Sequence, residues 1–166
     1  MAKELKGDRL FTYDPVGPAL DPLNIRLLEE LACDPRLTMA ELGRRVGLSS
    51  PAVTERVRRL EETGVIQGYR LDLNPKALGL PVAAYIRVRP NPGQLPTVAE
   101  LVKHIPEVVE CHRVTGEDCF ILKVYLPAMD QLDLILDRLL MHGTTTTSII
   151  QSSPVPVRSL PLPESH

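Results

Sequence analysis

Two helix signatures abut across Gly47, Leu48 and Ser49 with no room for a loop between them, and this junction restricts the chain more than any other stretch. The first runs from Thr38 to Leu48, TMAELGRRVGL. Thr38 can accept from the backbone amide three residues on while Glu41 reaches back to the Thr38 amide, a reciprocal cap. Met39, Leu42 and Val46 share one helical face, and Ala40 and Gly43 allow close approach. Gly47 can take the left-handed conformation that ends such a helix, with Leu48 folding back onto it. The second signature, Ser49 to Leu60 (SSPAVTERVRRL), has Ser49 or Ser50 as its cap and Pro51 in the first turn, where a missing amide proton costs nothing. Val53, Val57 and Leu60 fall at i, i+4 and i+7 and face a core.

Helix, tight turn and helix in this order predict a helix-turn-helix whose second helix lies in a DNA groove. Ser50, Pro51, Thr54, Glu55 and Arg58 are left facing outward. The start of that helix approaches base edges, and the arginines further along bind phosphates. The expected DNA-contacting set is Thr38, Ser49, Ser50, Pro51, Thr54, Glu55, Arg56, Arg58 and Arg59. The competing interpretation is an ordinary surface helix whose arginines are ion-paired to Glu55 or Glu62. Upstream, Asp21 and Pro22 start a supporting helix with Leu23, Leu27, Leu28 and Leu31 as its stripe, ending near Asp34 and Pro35. Downstream, Gly64 ends the second helix, and Val65, Ile66, Tyr69, Leu71 and Leu73 read as an extended strand broken at Gly68.

A net charge of −2 at first argues against nucleic acid. Distribution matters more: Ser49 to Leu60 sets Arg56, Arg58 and Arg59 against Glu55 alone. Because each neutralised phosphate adds to affinity through counterion release, so small a basic patch gains by being presented in two or more copies.

The second half alternates strands and helices. Ala84, Ile86 and Val88 against Tyr85, Arg87 and Arg89 give the period of a half-buried strand. Val98, Leu101, Val102 and Ile105 form a helical face ended before Pro106. Val108 to Val114 and Phe120 to Leu126 are strand-like around Thr115 and Gly116, Met129 to Met141 is helical, and Thr144 to Gln151 is the last strand. The order β, α, β, β, α, β predicts a ferredoxin-like sheet with two helices on one face. Its bare face can be buried against a copy of itself.

The run LSSPAVTERVRRLEETGVIQGYRLDLNPKALG, Leu48 to Gly79, resembles the DNA-binding end of the Lrp/AsnC family, the leucine-responsive and asparagine-responsive regulators. The run CHRVTGEDCFILKVYL, Cys111 to Leu126, is similar to the central hairpin of that family's effector domain. The resemblance covers the chain from Leu20 to Ser152. It implies an α+β protein with an N-terminal winged helix-turn-helix and a C-terminal ferredoxin-like (βαββαβ) domain for effector binding and oligomerisation. The expected division is a flexible extension over 1–19, the helix-turn-helix over 20–64, strand and linker over 65–80, the ferredoxin-like domain over 81–152 and a proline-rich tail over 153–166. It implies too a transcriptional regulator that binds a pseudo-palindromic operator in double-stranded DNA and responds to a small molecule, an amino acid or a relative of one. The homodimer is the expected unit, with tetramers and octamers as family assemblies, and the 65–73 strand is expected to pair with its twin across the dimer axis.

In that hairpin the family's usual pattern is Val-Thr-Gly, two variable residues, then Asp. Val114, Thr115 and Gly116 match, but Cys119 stands at the aspartate position and the acid is displaced to Asp118. An amino acid needs a carboxylate or carbonyl for its ammonium and backbone amides for its carboxylate, which a glycine loop supplies. The resemblance therefore marks Thr115 and Gly116 as pocket backbone, with Glu117, Asp118 and Cys119 as further candidates, against the alternative of a plain hairpin turn. In the family's site the last strand ends near this loop, which adds Thr145 and Thr147, although a threonine run also simply suits a strand.

Other chemistries find little support. Cys111, His112 and Cys119 fit no close-set zinc spacing, so neither metal nor cofactor is expected. No phosphate loop and no nucleophilic triad stands on recognisable elements. Sirohaem decarboxylases share the architecture and are the enzyme alternative, which the arginine-bearing helix speaks against; a stand-alone amino-acid sensor would leave that helix idle. No long apolar run suggests a membrane span, residues 1–20 lack the apolar core of a signal peptide, and three cysteines suggest reduced thiols, Cys33 as a small packed one. A cytoplasmic protein is expected.

Overall fold

Asp21 begins the described fold by accepting from the Asn24 amide at 2.6 Å, with Pro22 opening the helix behind it. The computed structural model describes residues 20–163, so the expected 1–19 extension lies outside the described residues. Within them, residues 20–70 with 158–163 form one unit and residues 71–157 another. The boundary falls inside the stretch expected as linker. The tail expected over 153–166 is shared between the units and carries neither helix nor strand over 153–163.

The first unit is three helices, α1 (Pro22–Cys33), α2 (Met39–Val46) and α3 (Ser50–Glu62). Thr38 caps α2 by accepting from the Glu41 amide at 3.1 Å, and Gly47 ends it at φ 77°. A Cβ on Gly43 would stand 2.6 Å from the Leu48 carbonyl oxygen and 3.5 Å from Val53, so only glycine lets the turn pass this close. Leu27, Leu31, Leu42, Val46, Val53 and Val57 make the core, with Leu23, Met39, Leu48 and Ile66 against it. Cys33, expected to be packed, is exposed, because α1 ends there and no later element covers it.

Within the single chain the segment expected as a strand over 65–73 forms none. Residues 67–74 pair with no other segment among the described residues, and a strand without a neighbour has no ladder to make. A single turn of 3-10 helix, Pro75–Leu78, follows, with the Asn74 side chain accepting from the Lys76 amide.

The second unit runs β1 (Val82–Pro90), α4 (Leu95–Lys103), β2 (Val108–Arg113), β3 (Phe120–Leu126), α5 (Asp130–Leu140), β4 (Gly143–Ile149). The sheet is antiparallel in the order β2-β3-β1-β4, the ferredoxin-like arrangement. Ala84, Ile86, Val88, Phe120, Leu122, Val124 and Leu126 meet Val98, Val102, Ile105, Leu132, Ile135 and Leu139 of the helix side in one core. The other face, carrying Tyr85, Arg87, Arg89, Ile121, Lys123 and Tyr125, has no helix over it. At one corner β4 closes on the end of β1 where Gly143 lies opposite Pro90, and a Cβ there would stand 2.3 Å from the Arg89 carbonyl oxygen.

Candidate functional site

Helix α3 exposes Pro51, Thr54 and Arg58 along one strip, at the three- and four-residue spacing that the buried Val53, Val57 and Leu60 leave outside. Ser49 is the N-cap but makes no side-chain cap bond, so its exposed hydroxyl is available. Thr54 donates its hydroxyl proton to the Ser50 carbonyl at 2.9 Å. What it offers outward is therefore a methyl group and acceptor lone pairs.

The charged side chains of α3 pair with one another, as the surface-helix interpretation expects. Arg58 donates to Glu55 at 2.8 and 3.0 Å and also contacts Glu62, while Arg59 donates to Glu55 at 2.9 Å. Hydrogen bonds from Arg58 and then Arg59 drive the Glu55 carboxyl down to about 2. Glu55 is thus the counterion of two arginines. Thr38 accepts from the Glu41 amide at its hydroxyl oxygen as the α2 cap, which leaves the hydroxyl proton to donate.

Arg56 is held differently from Arg58 and Arg59. Its guanidinium donates to Asp21 at 2.6 Å and to Asn24 at 3.0 Å. Its Cα lies on the flank of α3 beside the core residue Val57, so the long side chain runs across to the start of α1 rather than outward. Arg44 lies outside the expected set. It stands 76 % exposed in the last turn of α2, ion-paired among the described residues to Glu41 alone, and the arginines of GRRVG are the signal for it.

In the second unit the 114–119 loop is closed by the Val114 amide donating to the Cys119 carbonyl at 2.9 Å, and fastened to β1 by the Cys119 amide donating to the Val88 carbonyl at 2.9 Å. Thr115 and Gly116 are its exposed tip; Gly116 has φ 115° and open space where a Cβ would be. Asp118 is turned toward β1. Its oxygens lie 3.7 Å from both Arg87 and Arg89, and Glu117 pairs directly with Arg89.

Three candidates fall elsewhere. Cys119 packs against the sheet core, so it does not share the side of Asp118. Thr145 and Thr147 pair with Val88 and Ile86 and so face the helices, whereas Thr144 and Thr146, opposite Arg89 and Arg87, lie on the side of the loop's acids. Alternation made two faces legible, but the register with β1 decides which threonines belong to which.

Cys111 and His112 pair with Leu122 and Ile121 and so take opposite faces. Also on the open face, the Lys123 ammonium sits over the Tyr85 and Tyr125 rings at 6.0 and 5.6 Å. These three border a cleft of about 930 Å³ that Leu80 and Val155 help to line.

Family models place this geometry. A winged helix-turn-helix DNA-binding model matches residues 20–67, and the Lrp/AsnC ligand binding domain matches residues 83–160. The chain belongs to the Lrp/AsnC family. It is 34% identical over 133 residues to the transcriptional regulator LrpC of Bacillus subtilis, covering 80% of this chain and 92% of that one. To the regulator LrpA of Mycobacterium tuberculosis it is 41% identical over 125 residues, 75% of this chain and 83% of the relative. The feast or famine regulatory protein of M. tuberculosis complexed with L-methionine superposes at TM-score 0.79 with 37% identity, covering 86% of this chain and 99% of that one. Both halves of the Lrp/AsnC architecture, a helix-turn-helix and a ferredoxin-like sheet, are thus present in one chain.

Proposed function

We propose that this Lrp/AsnC protein is a sequence-specific, DNA-binding transcriptional regulator whose DNA affinity responds to an amino acid or a close relative of one. The observation that carries this is the α2–turn–α3 unit, with its Thr38 cap, left-handed Gly47 and outward Thr54–Arg58 strip, borne by the same chain as the ferredoxin-like sheet. Pro51, Thr54 and the free Ser49 hydroxyl approach base edges, while Arg58, Arg59 and Arg44 neutralise phosphates. The 114–119 loop supplies amides and acids for the effector. Relatives named as transcriptional regulators support a regulatory rather than an enzymatic role.

A homodimer presents two copies of α3 to a pseudo-palindromic operator, with tetramers or octamers as multiples of it. The bare sheet face, with Tyr85, Ile121 and Tyr125, supports burial between subunits, and the unpaired 67–74 segment supports pairing with its twin. No described helix is long and apolar enough to cross a membrane, and a DNA-bound role fits the cytoplasm. The test selects binding sites from random DNA with the full-length protein, then titrates the selected site against the proteinogenic amino acids. A two-fold related consensus whose affinity shifts with one or a few amino acids is the expected result; no enrichment would reject the proposal.

A further inference from the structure

We infer that Arg87 and Arg89 are the carboxylate anchor of an effector site built for a zwitterionic α-amino acid, and that Glu117 occupies this anchor until the ligand displaces it. The inference rests on reading the C-terminal unit as effector-binding and adds the residues and charge logic of the site.

Arg87 and Arg89 are two apart on β1 and so project from the same open face. Thr146 and Thr144 stand opposite them on β4, and Ile121 opposite Arg87 on β3. The Cys119–Val88 backbone bond fixes the loop against β1, which brings its two acids to the two guanidiniums. The acids differ in how they are held. Asp118 lies 3.7 Å from each arginine, beyond hydrogen-bond distance, so its carboxylate keeps lone pairs for an incoming ammonium. Glu117, 83 % exposed, contacts Arg89 directly and can swing into water at little cost.

Two guanidiniums and two carboxylates sum to no net charge. A zwitterion that displaces Glu117 puts its own carboxylate on the two guanidiniums in that side chain's place and its ammonium on Asp118, so each charge of the ligand meets an opposite one. An amine without the carboxylate, or a 2-oxo acid without the ammonium, satisfies one half only. Gly116, with no side chain above the loop tip, keeps the adjacent backbone amides accessible.

The test uses the full-length protein. The proteinogenic L-amino acids are screened by thermal shift, and each that stabilises is titrated by calorimetry beside its decarboxylated amine and its 2-oxo acid. The amino acid alone should bind well. Arg89→Gln and Asp118→Asn should each weaken it about tenfold or more, the effect of losing one charge-assisted bond. Glu117→Gln should tighten it about threefold by removing the competitor, a gain that a merely structural ion pair would not produce. Light scattering should show the same assembly for all variants. Arg89→Gln binding within a factor of about two of wild type, equal binding of the amine, weakening by Glu117→Gln, or a change of assembly in place of affinity would each overturn the inference while the effector reading stands. If no amino acid stabilises the wild-type protein, the effector reading itself fails and this inference with it.

Discussion

Arg56, in the middle of α3, donates to Asp21, the N-cap of α1, at 2.6 Å. The contact joins α3 to the start of α1. Hydrogen bonding from Arg56, and then from the Asn24 amide, holds the Asp21 carboxyl below its ordinary value. A depressed carboxyl stabilises fully above its unfolded value and loses that contribution as pH falls through the lower folded value. Arg56→Ala should therefore cost about 1 kcal/mol at neutral pH, where partly exposed pairs of this kind lie, and should flatten the decline of stability in acid. Urea unfolding between neutral pH and pH of about 3 measures both. The salt dependence of DNA binding should not change, and a shallower slope would show Arg56 on phosphate.

Arg58 is expected to behave in the opposite way. Arg58→Ala should reduce the slope of log affinity against log salt by about one per subunit, with little loss of stability. Because Glu62 contacts Arg58 in the free protein, Glu62→Gln should raise DNA affinity about threefold, in the range of a surface pair. Fluorescence anisotropy at several salt concentrations reads both changes, and an unaltered affinity in Glu62→Gln would mean that the pair survives on DNA.

Thr54 presents a methyl and an acceptor, its proton being spent on Ser50. Thr54→Val keeps the methyl and loses the acceptor; Thr54→Ser does the reverse. If the methyl meets a thymine, Thr54→Ser alone should relax the consensus at one position per half-site, by about 1 kcal/mol or more. Parallel site selections with the two variants decide it, and identical consensus sequences from both would remove Thr54 from base contact.

Two glycines should fail in different places. A Cβ on Gly143 meets the Arg89 carbonyl oxygen at 2.3 Å and Pro90 at 2.8 Å, so Gly143→Ala should lower stability by about 2 kcal/mol and disturb the sheet. Gly43→Ala forces Leu48 away from α2, so it should weaken DNA binding through a shifted α3 while the second unit keeps its stability. Thermal unfolding and anisotropy on both variants separate the effects; equal DNA affinity in Gly43→Ala would show that the turn yields freely.

Charge on the open sheet face tests the assembly. Tyr85, 41 % exposed, lies on that face beside Lys123. Tyr85→Glu should convert a dimer, or its multiple, into a monomer at micromolar concentration and lower operator affinity as the second copy of α3 is lost. Light scattering after chromatography shows the outcome, and an unchanged mass would place the subunit contact elsewhere.

What the sequence determined alone was local. Thr38, Gly47 and Pro51 mark helix ends because capping, left-handed turns and a missing amide act over a few residues, and the structure has α2 and α3 where they require. Alternation over 82–90 and 120–126 likewise reports buried and exposed faces without a partner strand. Tertiary structure decided what depends on a distant neighbour. Arg56 has the same local character as Arg58, but only the position of α1 draws one to Asp21 and leaves the other on the exposed strip with Glu55 and Glu62. Thr144 to Thr147 are alike in sequence, and the pairing of Thr145 with Val88 alone tells which pair faces the helices. Asp118, one place early in the family's pattern, reaches the arginines because a backbone bond from Cys119 to Val88 aims the loop. Extended character over 65–73 was legible too, but a strand exists only where another strand supplies its hydrogen bonds, and none of the described chain does so there.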